Sequence, residues 1–533
     1  MKILVHPPAT RFFTFYQFNS LIYLSGNTHV TTRTLVQMFG FLAVLVALQS
    51  DSSWALSTIA PVVANNGGLG QSTISLANPR STVASLNQQN LEKKQFPRTW
   101  VPIASTLELD PDRPTPLEFL SQKYVTYQDN DKNWVVLDDV CPHRLAPLSE
   151  GRIDREKNVI QCSYHGWEFN STGNCNRIPQ ADAVVEKSAV SSKRSSVSSY
   201  PVHVENGILF IWPWEDDVLS IVGKRWAWPE GMMEKINPVV ATFTRDLPYG
   251  WGSLVENLID PSHVPFAHHG LQGKRTDAIP INMTIVQEKG EEGFSFEWED
   301  RTMGLMRSGQ GGFRAPYMVW YDADFDSDTP RRFELSVFCV PTKPGWSRAI
   351  ILNTMPSEDA EVETTETTQK KTKQKASLLR MVFKILPTWM LHMLSNRFLD
   401  SDLAFLHYQE RELQRHSGAA YYMPAPADRC ISALWKWIPK YTNISDPLPA
   451  PMPRSELFDR YGQHGTHCKH CQAGEKSIKK WRRRAYAALT ASILGFKFRM
   501  AKVVFLLSLG FLRILQKLGK EMSKGDFRHY ENH

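Results

Sequence analysis

Two short stretches of the 533-residue chain each combine a cysteine with a histidine. The first is Cys141-Pro-His143, and after eighteen residues the second reads Cys162-Ser-Tyr-His165-Gly-Trp. A [2Fe–2S] cluster can bind two thiolates on one iron and two histidines on the other, and the neutral imidazoles raise its reduction potential. The pattern therefore predicts a mixed-ligand cluster held by these four side chains.

Two other interpretations of these residues are weaker. A zinc ribbon also binds through cysteine and histidine, but it prefers Cys-x2-Cys knuckles. A disulfide between Cys141 and Cys162 would leave both histidines without a role. The interval between the two pairs is expected to contain a hairpin turn at 154–158.

A second group of potential ligands lies further along the chain, in the sequence Glu256-Asn257-Leu-Ile-Asp260-Pro-Ser-His263-Val-Pro-Phe-Ala-His268-His269. Two histidines and one carboxylate on Fe(II) leave positions open for dioxygen, which is why non-haem oxygenases use that set. His263 and His268 are five residues apart and could lie on roughly one side of a helical stretch. A histidine pair alone is more often structural, but this pair follows a predicted iron–sulfur motif. His269 is the alternative to His268.

The carboxylate of such a triad must come from elsewhere in the chain. Residues 398–410 are predicted to be helical from their apolar spacing, and they contain Asp400 and Asp402. Either acid could instead be an N-terminal helix residue that complements the helix dipole.

Two further cysteines, Cys468 and Cys471, form a Cys-x-x-Cys pair among three histidines. In a reducing compartment such a pair could be a redox switch or half of a metal-binding knuckle. Two unremarkable thiols are the third possibility. The seven cysteines of the chain do not resemble a secreted disulfide framework.

The elements that would position these ligands are mainly strands. From Phe96 onward, short apolar runs alternate with turn residues as in an all-β module, which places both cluster pairs at the tips of adjacent hairpins. Residues 187–199 are predicted to be a solvated loop. Further strands at 281–286, 294–298, 317–320, 333–340 and 349–352 predict a long antiparallel sheet, followed by a charged, Thr-rich loop at 357–375.

The two ends of the chain differ from its body in charge. Residues 1–91 hold four basic residues, one acid and a short apolar core at 38–48, which is typical of a signal and transit leader; a leader without an address is the alternative. Residues 476–533 hold fourteen basic and three acidic residues, with two apolar runs too short to span a bilayer. This favours a re-entrant or interfacial membrane hairpin over a soluble helix. The acidic body argues against a nucleic-acid groove.

The metal motifs together resemble a known family. Four stretches carry the resemblance: Cys-Pro-His-Arg-Leu-Ala-Pro-Leu-Ser-Glu-Gly-Arg (141–152), Tyr-His-Gly-Trp (164–167), Asp-Pro-Ser-His-Val-Pro-Phe-Ala-His-His (260–269) and the Cys-x-x-Cys pair. They resemble the plant and algal branch of Rieske monooxygenases, the group of pheophorbide a oxygenase, chlorophyllide a oxygenase and the Rieske proteins of the inner-envelope translocon. The lengthened hairpin between the cluster pairs and the loop at 357–375 depart from that pattern.

Resemblance and composition together predict an α+β chain in five parts. A disordered targeting leader covers 1–91, an all-β Rieske [2Fe–2S] domain 95–217, and a mononuclear-iron domain 218–430 of the helix-grip type, an antiparallel sheet with a C-terminal helix. A Pro-rich segment with the Cys-x-x-Cys pair covers 431–475, and a basic, hydrophobic membrane-associating tail covers 476–533. The resemblance also implies a homotrimer, in which electrons cross from one subunit's cluster to the next subunit's iron.

The resemblance assigns roles to the candidate ligands. The four Cys and His side chains of the first motif would hold the cluster. The mononuclear Fe(II) would bind His263, His268 and Asp402, with Asp400 as the runner-up, because the third ligand of the family comes from a similar stretch.

The resemblance also implies an electron path between the two centres. Asp260 would bridge His165 of one subunit and an iron-ligand histidine of its neighbour, since a carboxylate that accepts two imidazole N–H groups fixes both tautomers. Glu256 and Asn257 on the same stretch are candidate catalytic residues.

These assignments imply a ferredoxin-dependent monooxygenase that uses O2 on a chlorophyll-derived tetrapyrrole. Pheophorbide a is the leading substrate, with chlorophyllide a, protochlorophyllide or another apolar molecule such as a sterol as alternatives. The non-catalytic alternative is a redox-sensing Rieske component of the plastid envelope import machinery, which would have no need of an iron triad. The implied location is a plastid membrane, either the envelope or the thylakoid.

Overall fold

The computed structural model describes residues 96–215, 226–229, 239–326, 332–354, 386–416, 421–444 and 447–529. The predicted leader at 1–91 and the predicted charged loop at 357–375 lie outside the described residues.

Ten short strands form the N-terminal module: β1 (Val101–Ser105), β2 (Thr115–Phe119), β3 (Gln122–Gln128), β4 (Trp134–Asp138), β5 (Arg152–Asp154), β6 (Val159–Gln161), β7 (Glu168–Phe169), β8 (Cys175–Arg177), β9 (Val202–Glu205) and β10 (Ile208–Ile211). They make three antiparallel sheets of order β1-β10-β9, β2-β3-β4 and β5-β6-β7-β8. The predicted turn at 154–158 connects β5 to β6. Apolar runs such as β10, in which all four residues are buried, lie between layers and therefore lack polar alternation.

The predicted solvated loop at 187–199 is wrong in part. Its first residues belong to helix α1 (Ala183–Val190), whose N-cap Asp182 accepts hydrogen bonds from two backbone N–H groups. Its last residues, 195–199, are buried, and their backbone binds the first module through the Val197 N–H to Gly173 O bond of 2.8 Å. The small polar side chains made this buried segment look exposed.

The second module is one seven-stranded antiparallel sheet. Its strands are β11 (Val239–Leu247), β12 (Thr284–Glu288), β13 (Gly293–Thr302), β14 (Leu305–Arg314), β15 (Met318–Phe325), β16 (Arg332–Pro341) and β17 (Ser347–Thr354). Their order is β11-β17-β16-β15-β14-β13-β12. Strand β14 escaped prediction because it contains three glycines. A Cβ atom at Gly309 would lie 2.2 Å from the Asp322 carbonyl oxygen, so the close approach of β15 requires glycine there.

Within the described ranges, seven further helices accompany this sheet: α2 (Trp251–Leu258), α3 (Val264–Ala267), α4 (Thr388–Arg415), α5 (Arg429–Tyr441), α6 (Arg454–Leu457), α7 (Lys469–Leu494) and α8 (Arg499–Ser523). The long helix α4 begins directly after Pro387, which is its N-cap, and it packs on α2 and β11. Helices α7 and α8 form a hairpin. Among the described residues, no helix is both long enough and apolar enough to cross a membrane.

The two sheet modules share one hydrophobic core. Phe96 of the first module packs edge-on against Trp251 of the second, with ring centroids 5.6 Å apart, and Phe210 contacts Phe338 in the same way at 5.9 Å. A second, smaller core lies beneath the Cys and His loops. The predicted α+β class, with a strand-rich module beside an antiparallel sheet and a long C-terminal helix, is confirmed, although helix α1 means that the first module is not purely β.

Candidate metal centres

The first and second Cys and His pairs lie on two loops of matching shape. The N–H of Leu145 donates to the Cys141 carbonyl at 2.9 Å, and the N–H of Gly166 donates to the Cys162 carbonyl at the same distance. Each donor residue has a left-handed backbone, with φ of 61° at Leu145 and 77° at Gly166. The second loop is the turn between β6 and β7, as predicted, but the first connects two different sheets and is not a hairpin tip.

The donors of these loops are arranged with thiols inside and imidazoles outside. Cys141 and Cys162 are buried, whereas His143 is exposed and His165 is half-buried. The two imidazole rings lie 4.6 Å apart, and Trp167 stacks on His143 at 4.9 Å. Burial raises the pKa of the Cys141 thiol to about 12, so a thiolate there requires a compensating cation. The arrangement fits a [2Fe–2S] cluster whose histidine-bound iron faces solvent.

The histidines of the second group are positioned by two short helical turns. Asp260 begins a 3-10 turn, in which its carboxylate accepts the Ser262 N–H at 2.8 Å, and His263 ends that turn. Helix α3 follows, and His268 lies at its C-terminus. The Nε2 atoms of His263 and His268 are therefore only 3.2 Å apart.

Asp402 on α4 completes this group. Its Oδ2 atom lies 3.4 Å from His268 Nε2, and the donor atoms of all three residues lie within 4.8 Å of one another. Donors that share one ion at about 2.1 Å lie roughly 3 Å apart when they are at right angles. The group fits the facial two-histidine, one-carboxylate set of non-haem iron.

The electrostatics of the group also favour a cation. Burial opposes a positive charge on His263, but the carboxylates of Asp260 and Asp402 raise its pKa to about 9. Burial raises the pKa of Asp402 to about 6, against the opposing effect of His263. Two carboxylates and two imidazoles converge here at a site with little access to solvent. A divalent ion would neutralise the charge of the two carboxylates.

Ser401 fixes the orientation of His268, and no sequence pattern indicated this role. The Ser401 hydroxyl donates to the Phe398 carbonyl at 2.5 Å, so it can only accept from His268 Nδ1, which is 2.7 Å away. His268 is therefore protonated on Nδ1, and its Nε2 lone pair faces His263 and Asp402. The Phe398 ring stacks on the same imidazole at 4.1 Å.

The competing ligands lie outside the group. Asp400 forms buried ion pairs of 2.7 Å with Arg245 and with Arg460. His269 Nδ1 accepts the N–H of Arg275 at 3.2 Å. His407, on the same helix as Asp402, connects Pro248 and Met452 by hydrogen bonds.

Glu256, Asn257 and Asp260 differ in their distance from the histidines. Asp260 Oδ2 lies 3.6 Å from Nδ1 of His263, the nitrogen that faces away from His268. Asn257 Nδ2 lies 3.5 Å from His263 Nε2. Glu256 instead accepts hydrogen bonds from Trp435 at 2.6 Å and Gln409 at 3.1 Å, so it connects α2 to α4 and α5.

A cavity of about 460 Å³ opens onto this group. Its wall combines charged and polar side chains, including the candidate ligands, with apolar ones. The lining residues are Glu256, Asn257, Asp260, His263, Phe266, Ala267, Arg275, Asp402, Phe405, Leu406, Gln409 and His529. A volume of this order is typical of small-molecule sites. Cys468 and Cys471 lie apart from this cavity lining, buried at the N-terminus of α7 and not in a disulfide.

Comparison with known proteins gives two family matches. The model of the Rieske [2Fe-2S] domain matches residues 99–201, and the model named pheophorbide a oxygenase matches residues 313–419. The chain is 32% identical over 399 residues to a chloroplastic pheophorbide a oxygenase of Arabidopsis thaliana, which covers 68% of this chain and 70% of the relative.

Two other relatives are similar over comparable lengths. Flavonoid 8-hydroxylase 2 of Ocimum basilicum is 30% identical over 429 residues, covering 74% of this chain and 76% of that protein. Protochlorophyllide-dependent translocon component 52 of Arabidopsis thaliana is 30% identical over 445 residues, covering 71% and 73%. All three relatives are described as chloroplastic.

Proposed function

The chain belongs to the pheophorbide a oxygenase family of Rieske-type oxygenases, and from that premise we propose that it is a ferredoxin-dependent monooxygenase of a chlorophyll-derived tetrapyrrole, with pheophorbide a as leading substrate. The observation that carries the proposal is the convergence of His263, His268 and Asp402 at a cavity, in a chain that also holds the matched Cys and His loops. A redox sensor would have no need of that triad.

The two centres have separate tasks. When bound, the [2Fe–2S] cluster supplies electrons received from ferredoxin, and the mononuclear Fe(II) supplies the chemistry of oxygen activation. Cys141 and Cys162 would hold the inner iron of the cluster, and His143 and His165 the outer iron. His143 is exposed and His165 half-buried, so part of each imidazole remains accessible to a redox partner.

The side chains around the mononuclear centre have distinct roles. His263, His268 and Asp402 would be the ligands. Ser401 holds His268 in the tautomer whose Nε2 can bind a metal. Asn257 lies beside the ligands in the cavity wall, where its amide can orient substrate.

Asp260 is assigned to electron transfer between centres. Its carboxylate lies on the Nδ1 side of His263, away from the metal-facing nitrogen. In a homotrimer, a cluster histidine of the neighbouring subunit, His165 by family resemblance, would donate to the same carboxylate. The carboxylate would then connect one imidazole of each centre.

The helical tail is assigned to a membrane surface. At the turn between α7 and α8 and on the part of α8 that follows it, large apolar side chains are exposed to solvent: Leu494 is 87%, Phe498 72% and Leu507 68% exposed. The basic residues Lys497 and Arg499 flank the turn. An apolar tip with basic flanks fits the interface of an anionic bilayer, which the hairpin would enter without spanning it. With the leader predicted at 1–91, this tip supports a location at a plastid envelope or thylakoid membrane.

A second candidate function is hydroxylation of a flavonoid. The observation that favours it is the relative named flavonoid 8-hydroxylase 2, which matches a larger share of this chain than the pheophorbide a oxygenase does. Both substrates are flat conjugated molecules, which suits a cavity with exposed Phe266 and Phe405.

Anaerobic incubation followed by reaction distinguishes these functions. The purified chain is mixed separately with pheophorbide a, chlorophyllide a, protochlorophyllide or a flavone, and then receives reduced ferredoxin and ¹⁸O₂. Consumption of a tetrapyrrole with one labelled oxygen in the product is expected, and it should disappear in His263→Ala. Turnover of the flavone alone would support the second candidate, and turnover of none with a loaded triad would overturn both.

A further inference from the structure

We propose that His392, His464, Cys468 and Cys471 form a tetrahedral zinc site that connects the helical tail to the helix carrying Asp402. The four side chains come from α4, from the π-turn Tyr461–Gly465 and from the start of α7. Their donor atoms lie within 4.8 Å of one another, and all four residues are buried.

The separations between donor atoms are close to those around a single tetrahedral ion. His464 Nε2 lies 3.1 Å from both His392 Nδ1 and Cys471 Sγ. His392 Nδ1 lies 3.5 Å from Cys468 Sγ and 3.6 Å from Cys471 Sγ. For zinc bonds of about 2.3 Å to sulfur and 2.0–2.1 Å to nitrogen, tetrahedral geometry places the donors roughly 3.3–3.8 Å apart.

Two other uses of these residues fit less well. A [2Fe–2S] cluster also takes two cysteines and two histidines, but the sulfide-bridged irons hold the thiolates and the imidazoles apart. Here one imidazole nitrogen of His392 approaches both thiols closely. The cysteines are not joined in a disulfide.

The surroundings of the group orient its ligands. His464 Nδ1 donates to the Thr244 carbonyl at 2.5 Å, which leaves the Nε2 lone pair facing the centre of the group. A backbone carbonyl in this position is typical of metal-bound histidine. Cys468 is the N-cap of α7 and Cys471 lies in its first turn, where backbone N–H groups favour thiolates.

The predicted role of the ion is structural. Four buried protein ligands leave no position for water or substrate, which distinguishes structural from catalytic zinc. The ion would join α4 to α7, and through Thr244 to β11. The adjacent Lys469 N–H donates to the Glu108 carbonyl of the first module at 2.8 Å. Helix α4 continues from His392 to Asp402, a rise of about 15 Å, so the ion would fix the helix that presents the iron ligand.

X-ray absorption on the full-length holoprotein tests this assignment without a variant. About one zinc per chain is expected in addition to the iron. The extended fine structure above the zinc K-edge should show two sulfur neighbours at about 2.3 Å and two nitrogen neighbours at about 2.0 Å. Absence of zinc from protein isolated without chelator, with both thiols of Cys468 and Cys471 free to react, would overturn the proposal. Iron at this position in place of zinc would also contradict it.

Variants identify the ligands. Cys468→Ala/Cys471→Ala should lose the zinc, whereas Cys339→Ala/Cys430→Ala, which removes two buried thiols elsewhere, should keep it. The reduced cluster's EPR signal reports folding in both variants independently of turnover. Equal zinc content in the two double variants would refute the ligand set, while loss of tetrapyrrole turnover alone would bear only on the proposed function.

Discussion

Ser401 and His268 are joined by a hydrogen bond of 2.7 Å whose direction is fixed, because the Ser401 hydroxyl already donates to Phe398. This bond leaves His268 with a lone pair on the nitrogen nearest to Asp402. A serine between two aspartates on one helix would therefore act on the proposed iron site through a histidine 133 positions earlier in the chain.

Ser401→Ala should weaken binding of mononuclear iron by about 10–100-fold, the usual effect of removing a residue that orients a metal-bound histidine. Iron retained after dialysis against a graded chelator measures this, while the EPR signal of the reduced cluster should not change. Ser395→Ala is the matched control, because Ser395 also lies on α4 and bonds only a backbone carbonyl. Equal iron affinity in the two variants would remove Ser401 from the site.

Asp400→Asn and Asp402→Asn should have opposite effects although they are two residues apart. The first leaves Arg245 and Arg460 buried without their shared carboxylate, which should cost about 3–5 kcal/mol of unfolding free energy. The second should release the mononuclear iron at a smaller cost in stability. Denaturant unfolding and iron content, measured on both proteins, check the pair. Iron loss from Asp400→Asn with unchanged stability would reverse the assignment.

The same two residues show where sequence alone is insufficient. On an α-helix, positions two apart point about 200° away from each other, so only one of Asp400 and Asp402 can face the histidines. Which one does so depends on how α4 packs on β11, and Arg245 of that strand binds Asp400. The cluster loops and the His263 and His268 pair were predictable because each motif is local.

The buried Cys and His group was only half predictable for the same reason. Cys468 and Cys471 form a local pattern, but His392 is contributed from a helix 76 residues earlier than Cys468. No spacing in the sequence associates them. Five of the seven described strands of the second sheet were predicted from their apolar runs, whereas β11 and β14 were not. In β14 the glycines permit the close approach of β15 and leave no apolar alternation to recognise.

Asp260→Asn should leave both metal centres loaded and slow the transfer of electrons between them. An amide cannot accept hydrogen bonds on both sides as a carboxylate can, and it carries no charge to hold an imidazole N–H. Single-turnover oxidation of the prereduced cluster, followed by stopped-flow absorbance with substrate and oxygen present, measures the step. Asp322→Asn, which breaks the ion pair of that carboxylate with Arg332 between β15 and β16, is the control. Unchanged electron transfer in Asp260→Asn would exclude the bridging role.

Glu410→Gln should stabilise the protein at alkaline pH and much less at acidic pH. Burial raises the pKa of Glu410 from 4.5 to about 7, so the folded chain binds this proton more tightly than the unfolded chain. The unfolding free energy of the wild type should therefore fall by roughly 3 kcal/mol as pH rises from about 4.5 to above 7. The Glu410→Gln variant should not show this loss. Denaturation midpoints at pH 5 and pH 8 check this, with exposed Glu412→Gln as control. An equal change in the unfolding free energy at pH 5 and at pH 8 on Glu410→Gln substitution would contradict the raised pKa.

Leu506→Glu/Leu507→Glu should prevent binding of the tail to membranes. Both side chains are about two-thirds exposed on α8, near the apolar tip, while the base of the hairpin packs on α4 through residues such as Ile478 and Leu515. Two carboxylates at the tip would oppose insertion and repel anionic headgroups, so the change acts on membrane affinity and not on the fold. Co-sedimentation with vesicles that contain phosphatidylglycerol measures binding, and vesicles of phosphatidylcholine alone should bind the wild type more weakly.

The control variant Val184→Glu/Val185→Glu adds the same charge to exposed positions on α1 and should sediment like the wild type. Equal sedimentation of the two double variants would show that the tip does not contact the bilayer.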